Sequence, residues 1–180
     1  MGEHEDAFNY FKTALEIAEQ EHDLHGESNA LINIGDLFSG FGEYEKAVNC
    51  YQNSLSISRK IGDIPGEGKT LFALGNTYMD IGNRYQDFNK VKEAIIFYKE
   101  ALSIAEERDD KWKIGSVLGG LGNSYLILGE YSKAKNLFEE KLKVAQCIGD
   151  RKGEANAIGN LGVIFYNCNE HTKALEFYQR

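Results

Sequence analysis

The chain has 180 residues, of which 42% are hydrophobic and 27% charged, which is typical of a folded globular domain and excludes a disordered segment. Its 28 acidic and 20 basic side chains give a net charge of −8, which opposes binding to a phosphate backbone, so we expect no nucleic-acid partner. The apolar runs are far shorter than the roughly 20 residues that span a bilayer, and the start lacks a secretory signal pattern, so we expect a soluble chain with no membrane segment.

Three cysteines, Cys50, Cys147 and Cys168, are widely separated and form no close pair. This spacing favours buried free thiols in a reducing compartment over a disulfide framework. We therefore expect a cytoplasmic location.

Four similar stretches, 33–35, 73–75, 120–122 and 160–162, each end in a Leu-Gly or Ile-Gly pair and define a long internal period. The glycines of these pairs are Gly35, Gly75, Gly122 and Gly162, so successive copies are 40, 47 and 40 residues apart. A period of this length is typical of stacked repeats, in which each unit buries its apolar face against its neighbours. The longer middle step indicates one seven-residue insertion.

Each of these glycines belongs to an apolar stripe with the spacing i, i+3, i+4 and i+7, as in Leu71, Leu74, Gly75 and Tyr78. The stripe predicts an amphipathic helix, which we call helix A. Because glycine inside a helix costs roughly 1 kcal/mol relative to alanine, we attribute it to close approach of the partner helix backbone. Helix A is predicted to end seven residues after this glycine, at a residue that tolerates positive φ. These end residues are Gly42, Gly82, Gly129 and Asn169.

A second apolar stripe follows each turn and predicts helix B, with a small alanine where it crosses helix A. These alanines are Ala47, Ala94, Ala134 and Ala174. Lys141 interrupts the stripe of the third copy, and we expect its side chain to extend outward to solvent. Trp112, the single tryptophan, is expected to pack at the start of the third helix A.

In chain order, the pattern divides the sequence into one helix and four repeats. The segments are 1–26 (helix B of a preceding repeat), 27–66, 67–113 with the insertion, 114–153, and the truncated 154–180. Because neither end is a whole repeat, the sequence reads as a piece of a longer array. Bare apolar helix faces at the two ends predict possible self-association.

The insertion occupies residues 83–91 of the second repeat and places two aromatic residues, Tyr85 and Phe88, between helix A and helix B. The interpretation we favour is that these rings cover the lengthened end of the helix pair. The alternative is that they contact a ligand or partner, because loops on one rim of a solenoid often carry specificity.

Three motifs resemble the tetratricopeptide repeat family: Leu-Gly-Asn-Thr-Tyr at 74–78, Gly-Glu-Tyr at 42–44, and the alanine-aromatic pattern of Ala94 to Leu102. The units end with Gly-Asp (62–63 and 149–150) and are 40 residues long, whereas the common unit has about 34 residues and ends with proline. The longer form is similar to the repeats of the Pins/LGN adaptors and, to a lesser degree, of kinesin light chains. The resemblance implies an all-α, right-handed superhelix of antiparallel helix pairs, with the A helices lining a concave groove.

In that family the groove binds a peptide or helix of a partner protein, so the resemblance implies an interaction scaffold and no enzyme. Polar positions beside the Leu-Gly stripe would then face the groove: Asn29, Asn33, Asp36, Lys69, Asn76, Asn123, Asn156 and Asn160. Apolar positions further along helix A would add contacts: Met79, Leu126 and Tyr166. An asparagine carboxamide both donates and accepts, so it suits capture of a peptide backbone; the alternative is that it solvates an exposed helix face. Only Lys69 of this set is basic, so a clamp for a C-terminal carboxylate is incomplete.

The sequence predicts no catalytic residues, no metal site and no cofactor. The stretch from Gly62 to Thr70 nearly matches a phosphate-binding loop, but Asp63 occupies the position of its first glycine and the preceding element is a helix. Two alternatives to a peptide-binding scaffold stay open. One is a structural spacer or self-association module, and the other is the regulatory array of a larger signalling protein.

Overall fold

The computed structural model describes residues 2–179, with side chains for residues 6–179, so Met1 and Arg180 of the predicted end segments lie outside it. Over this range the chain forms nine α-helices and no strand, which confirms the all-α class. In chain order the helices are α1 (Gly2–Gln20), α2 (Leu24–Gly40), α3 (Tyr44–Ile61), α4 (Ile64–Tyr85), α5 (Phe88–Glu107), α6 (Lys111–Ile127), α7 (Tyr131–Ile148), α8 (Arg151–Asn167) and α9 (His171–Tyr178).

Even-numbered helices are the A helices of the repeats, and odd-numbered helices are the B helices. Each helix packs against the next along the chain, as in a solenoid of helix pairs. In addition, the backbones of α2 and α4, of α4 and α6, and of α6 and α8 approach one another closely, whereas the described B helices stand further apart and α3 reaches α5 through the long side chains of Arg59 and Glu100, 2.8 Å apart. Because the inner helices of a curved stack lie closer together than the outer ones, the A helices line the concave side.

Every A helix begins with an aspartate cap: Asp23, Asp63, Asp110 and Asp150. Each carboxylate accepts a hydrogen bond of 2.9–3.0 Å from the backbone N–H three residues later. Such a bond satisfies one of the donors that a helix start leaves open. The Gly-Asp pairs in the sequence thus begin helix A, and each A helix starts three residues before the predicted repeat boundaries at 27, 67, 114 and 154.

The glycine of each Leu-Gly pair packs against an aromatic ring of helix B rather than against its backbone, so the predicted reason for these glycines was wrong. A Cβ atom at Gly75 would lie 2.5 Å from the ring of Tyr98, and one at Gly122 would lie 2.8 Å from the ring of Phe138. The alanines predicted at the crossing of helix B are fully buried, at 0–2% exposure: Ala47, Ala94, Ala134 and Ala174. Together the two small residues let a ring fill the space between the helices.

Three of the four predicted helix ends have the positive φ expected of them: Gly42 (75°), Gly129 (72°) and Asn169 (61°). Gly82 does not end its helix, because α4 continues to Tyr85 and reverses at Gln86, with φ 54°. Gly82 is buried where α5 crosses, and a Cβ there would lie 2.6 Å from Cγ2 of Val91. Most of the insertion therefore lengthens α4 and α5 instead of forming a loop.

The three cysteines are free, but only Cys50 is partly buried. Burial raises the pKa of the Cys50 thiol. Cys147 and Cys168 are exposed, so the prediction of buried thiols was wrong for these two. None of the described helices combines the length and the apolar character needed to cross a bilayer.

Candidate groove of the A helices

A hollow of about 790 Å³ lies between α4, α6 and α8, on the side where the A helices contact one another. We call it the concave groove. Residues from all three helices border it, together with Tyr98 of α5, Lys141 of α7 and the cap residue of α8. The polar and aromatic residues among them include Asn76, Asp80, Trp112, Ser116, Asn123, Asp150, Lys152 and Asn156. A second hollow of about 390 Å³ continues it toward α2, between Asp36, Lys69, Asn76 and Lys113. The A helices of all four repeats therefore contribute to one face.

The predicted site residues divide into two sets. Those that border the two hollows are Asp36, Lys69, Asn76, Met79, Asn123 and Asn156. Those that border neither are Asn29, Asn33, Leu126, Asn160 and Tyr166. The first set comes from all four A helices and includes every predicted position on α4, whereas the second set lies on α2, α6 and α8.

The residue directly after the Leu-Gly glycine is held by a buried tyrosine of helix B in two repeats. The Tyr51 hydroxyl donates to Oδ1 of Asp36 at 2.6 Å, and the Tyr98 hydroxyl donates to Oδ1 of Asn76 at 2.8 Å. In the third repeat Phe138 replaces the tyrosine. Within the described part of the chain, the Asn123 carboxamide makes no hydrogen bond to the protein, so its donors and acceptor stay available.

Met79, Leu126 and Tyr166 occupy the fourth position after the glycine, which packs between successive A helices. Met79 is 7% exposed, and its sulfur lies 3.0 Å from the hydroxyl of Ser124 on α6. Leu126 packs in the same way against the cluster around Ile164 of α8. Tyr166 is 59% exposed, and its ring centre lies 5.3 Å from that of His171.

Asn156 and Asn160 lie one turn apart on α8 and interact with each other. The Asn160 amide donates to the backbone carbonyl of Asn156 at 2.9 Å, so this side chain turns back along its own helix. Oδ1 of Asn156 instead accepts a hydrogen bond from Nζ of Lys141 at 2.7 Å. Asn29 is exposed and Asn33 is partly buried on α2.

Lys141 reaches the groove from helix B, so the prediction that it extends outward was wrong. Its side chain crosses α6 above Gly119, where an added Cβ would lie 2.6 Å from Nζ and 3.5 Å from Cδ. Burial lowers the pKa of Lys141, and the nearby charge of Asp150 opposes this effect. Because the Lys141 side chain is long and Gly119 has no side chain in its way, the Lys141 ammonium group reaches the concave side.

This arrangement has a signal in the sequence that spacing alone does not reveal. At the position of Gly119 the two preceding repeats have Ile32 and Phe72, and at the position of Lys141 they have Ser54 and Ala101. The two preceding repeats therefore have a large residue on helix A and a small one on helix B. The third repeat has a glycine on helix A and a long lysine on helix B. Only a comparison of both positions across the repeats would have found it.

Trp112 is 61% exposed and borders the groove, so the prediction that it packs at the start of helix A was wrong.

The groove also has two differently charged edges. Lysines lie toward the N-terminal ends of the A helices: Lys69, Lys113 and Lys152. Asp36 and Asp80 lie toward the C-terminal ends, and burial raises the pKa of Asp80.

Buried tyrosines lie below the acidic edge. Burial, and secondly the hydrogen bond to Asp36, raises the pKa of Tyr51 well above its ordinary value. Burial, and secondly the charge of Asp80, does the same to the pKa of Tyr98. Both hydroxyls therefore stay protonated and act as hydrogen-bond donors throughout the neutral range.

The insertion borders a separate hollow of about 600 Å³ on the rim, between the A–B turns of the first two repeats. Tyr44, Tyr78 and Tyr85 contribute rings to it. Tyr85 is 65% exposed and Phe88 is 55% exposed, which does not fit the interpretation that these rings cover the lengthened helix pair. Arg84 stacks over the Tyr44 ring with 5.9 Å between its guanidinium carbon and the ring centre.

Within residues that the structure describes, no three His, Cys, Asp or Glu side chains are placed to hold a metal ion. The stretch from Gly62 to Thr70 comprises the two-residue turn between α3 and α4 and the start of α4, where Asp63 caps the helix by accepting from the N–H of Gly66. It does not follow a strand, and its aspartate side chain occupies the space that a bound phosphate would need.

Comparison with known proteins agrees with this architecture. A family model described as tetratricopeptide repeat matches residues 1–60, and another of the same description matches residues 74–108, so the matched residues make up just over half of the chain. Among curated proteins, none matches this sequence.

Solved structures share the fold at low sequence identity. BtubC (BKLC) from P. vanneervenii has a TM-score of 0.79 at 20% identity, over 98% of this chain and 71% of that one. The nearly identical TPR-like repeats of a putative kinesin light chain from Podosopora anserina give a TM-score of 0.76 at 14% identity, over 99% and 85%. A Rap protein complexed with competence and sporulation factor gives a TM-score of 0.77 at 18% identity, over 96% and 46%. These structures share the fold, and the two family models show that the chain belongs to the tetratricopeptide repeat family.

Proposed function

We propose that the chain is a non-catalytic interaction scaffold whose concave groove binds a peptide or helical segment of a partner protein. The observation that carries this proposal is the hollow of about 790 Å³ bordered by three successive A helices and continued toward the fourth. Ligand sites in proteins commonly have volumes of about 300–1,000 Å³. A groove that continues along the array suits a chain segment better than a compact small molecule.

The chemistry of the groove favours a polypeptide. Asn123 offers an unengaged carboxamide, and Ser116 and Asn76 are exposed beside it. Carboxamides can donate to the carbonyl and accept from the N–H of a peptide group. Trp112 adds an exposed aromatic surface of the kind that anchors protein interfaces.

Several further properties are part of the proposal. The repeats are of the 40-residue type similar to those of the Pins/LGN adaptors, as the distance between Gly35 and Gly75 indicates. The net charge of −8 favours a protein partner over nucleic acid, and three free cysteines favour a cytoplasmic location. The Rap complex supports ligand binding by a solenoid of this fold.

Self-association is a second candidate, favoured by apolar side chains at both ends of the array. Tyr10 and Ile17 of α1 are 75% and 55% exposed, and Leu175 and Tyr178 of α9 are 57% and 54% exposed. Stacking of two arrays would cover these faces. Sedimentation of the chain over a hundredfold range of concentration tests it, and a constant monomer mass would exclude it.

A selection from a phage-displayed library of random 16-residue peptides tests binding in the groove. Enriched peptides are synthesised, and their affinity is measured for the parent and for the Asn76→Ala/Asn123→Ala double variant. The matched control is Gln52→Ala/Lys99→Ala, which changes two exposed residues of B helices on the convex side.

Binding should weaken at least about tenfold in the groove variant and stay unchanged in the control, because only the former removes hydrogen bonds to the peptide. Trp112 provides an independent signal, since its fluorescence should change when a peptide enters the groove. Equal affinity of parent and groove variant, with folding verified by circular dichroism, would contradict binding at this site.

A further inference from the structure

We propose that Lys141 and Asn123 form a subsite in the concave groove for the carboxylate side chain of an aspartate or glutamate inside the bound segment. This inference rests on the proposed function, because it specifies the chemistry of the segment that the groove binds. It assigns a role to a helix B residue that lies outside the rows of A-helix positions.

The first argument is the construction of the site. Lys141 reaches the concave side only because Gly119 has no side chain, since a Cβ at residue 119 would lie 2.6 Å from Nζ. At the helix A position of Gly119, the two preceding repeats have the large side chains of Ile32 and Phe72. The third repeat therefore replaces an apolar contact by a lysine whose ammonium group borders the groove.

The second argument is that the charge of Lys141 is not neutralised by an ion pair. Four other lysines pair with a glutamate three residues away: Lys46, Lys90, Lys133 and Lys173. Within the described residues Lys141 has no such pair, and its hydrogen-bond partner is the neutral Asn156. An ammonium group has three donors, so two remain for a ligand. The pKa of Lys141 is lowered by burial, as expected for an ammonium group without a paired carboxylate.

The third argument is the distribution of charge around this point. Asp150, whose charge acts on Lys141, also borders the groove, and its Oδ1 accepts a hydrogen bond from the N–H of Gly153 as the cap of α8, so two lysines, Lys141 and Lys152, lie beside this one carboxylate. Lys152 borders the groove on the same edge, whereas Asp80 lies toward the other edge. A carboxylate is therefore attracted to the Lys141 side, where the free carboxamide of Asn123 can donate a second hydrogen bond.

The position of Lys141 also selects an internal acidic residue over a chain terminus. The row of A helices continues from this point toward α2 on one side and along α8 on the other. A segment can therefore extend past Lys141 in both directions. We therefore expect the carboxylate that binds Lys141 to be a side chain of this segment. A segment that ended at Lys141 with its C-terminal carboxylate would leave part of the concave groove unoccupied.

The test uses the same library of random 16-residue peptides on three immobilised proteins: the parent, Lys141→Met and Lys143→Met. Methionine keeps an unbranched stem over Gly119 and removes the charge. Lys143 is an exposed lysine on the same helix, so its replacement controls for the loss of one positive charge. Lys141→Arg is added as a variant that retains the charge.

We expect peptides selected on the parent to share one aspartate or glutamate at a fixed position. Changing this acid to its amide should weaken binding to the parent by between about tenfold and about a hundredfold, the range of a charge-assisted hydrogen bond. The same change should have little effect on binding to Lys141→Met, and its effect should persist in Lys143→Met and Lys141→Arg. Blocking the peptide C-terminus as an amide should leave affinity unchanged.

Three outcomes would overturn the subsite. They are enrichment of peptides without a shared acid, an equal loss in the parent and in Lys141→Met when the acid is changed, and loss of binding when the C-terminus is amidated. Each leaves the groove as a binding site and rejects only this assignment. If the parent enriches no peptide at all, the proposed function fails, and the subsite fails with it.

Discussion

The hydroxyl of Tyr98 donates a 2.8 Å hydrogen bond to Oδ1 of Asn76, and this bond fixes a groove side chain by a ring that is 2% exposed. The ring itself occupies the space left by Gly75, so the glycine, the tyrosine and the asparagine form one unit. Tyr51 and Asp36 repeat the arrangement in the first repeat. In these two repeats, helix A therefore presents a polar side chain whose orientation depends on helix B.

We expect Asn76→Ala to destabilise the fold by about 1 kcal/mol, because the buried Tyr98 hydroxyl loses its acceptor. Asn123→Ala should change stability by less than about 0.5 kcal/mol, since the ring below it is Phe138 and no hydrogen bond is lost. Urea unfolding monitored by circular dichroism measures both. Equal costs for the two variants would contradict a structural role of the Tyr98 bond.

Two glycines inside A helices should respond to alanine in opposite directions. Gly75→Ala places a methyl group 2.5 Å from the Tyr98 ring, and we expect a loss of about 1–3 kcal/mol from overpacking. Gly159 of α8 has no neighbouring atom within 4 Å of an added Cβ. Gly159→Ala should therefore stabilise the chain by up to about 1 kcal/mol through helix propensity alone. Thermal and urea unfolding of the pair checks the difference in sign.

The turns before α2 and α6 place His22 and Asp109 at φ values of 56° and 52°. The equivalent residues of the other turns are Gly62 and Gly149, at 70° and 71°. Because the left-handed region costs a non-glycine residue roughly 1–2 kcal/mol, His22→Gly and Asp109→Gly should each stabilise the fold. We expect each variant to gain about 0.5–1 kcal/mol in unfolding free energy, because glycine also has more conformational freedom in the unfolded chain, which offsets part of the gain. The reverse change, Gly62→Asp, should destabilise it, and a gain in stability there would contradict this account.

Lys141→Met should stabilise the chain at neutral pH by roughly 0.5 kcal/mol, because it removes a partly desolvated charge. Burial lowers the pKa of Lys141, so the unfolded chain binds this proton more tightly than the folded chain. Stability of the parent therefore rises with pH between the lowered folded pKa and the unfolded value of about 10.4. The difference in unfolding free energy between Lys141→Met and the parent should therefore become smaller as the pH rises over this range.

Urea unfolding at a series of pH values from 7 to about 10 measures that advantage. Lys143→Met serves as the control, because it removes one positive charge from an exposed position of the same helix. A constant advantage of Lys141→Met over this range would show that the charge of Lys141 carries no desolvation cost.

Several features of the fold could be predicted from local spacing. The stripe around Leu74 and Gly75 predicted helix A, and Gly42 and Asn169 were predicted to take positive φ at its end. These predictions succeed because periodicity decides which face of a helix is buried, and because few residues tolerate the left-handed region. The insertion was located correctly, but Gly82 was misread, since the same residue suits a helix end and a close helix crossing.

The sequence by itself determined the repeat, the helix order and the polar positions on the A helices, because each depends on residues close together in the chain. Only the tertiary structure decided which side chains face the groove. Met79 is buried because the next A helix packs against it, and Lys141 reaches the concave side because Gly119, 22 residues earlier, leaves a gap above α6. The direction of a long side chain depends on the space that other helices leave to it, and spacing along one helix contains no record of that space.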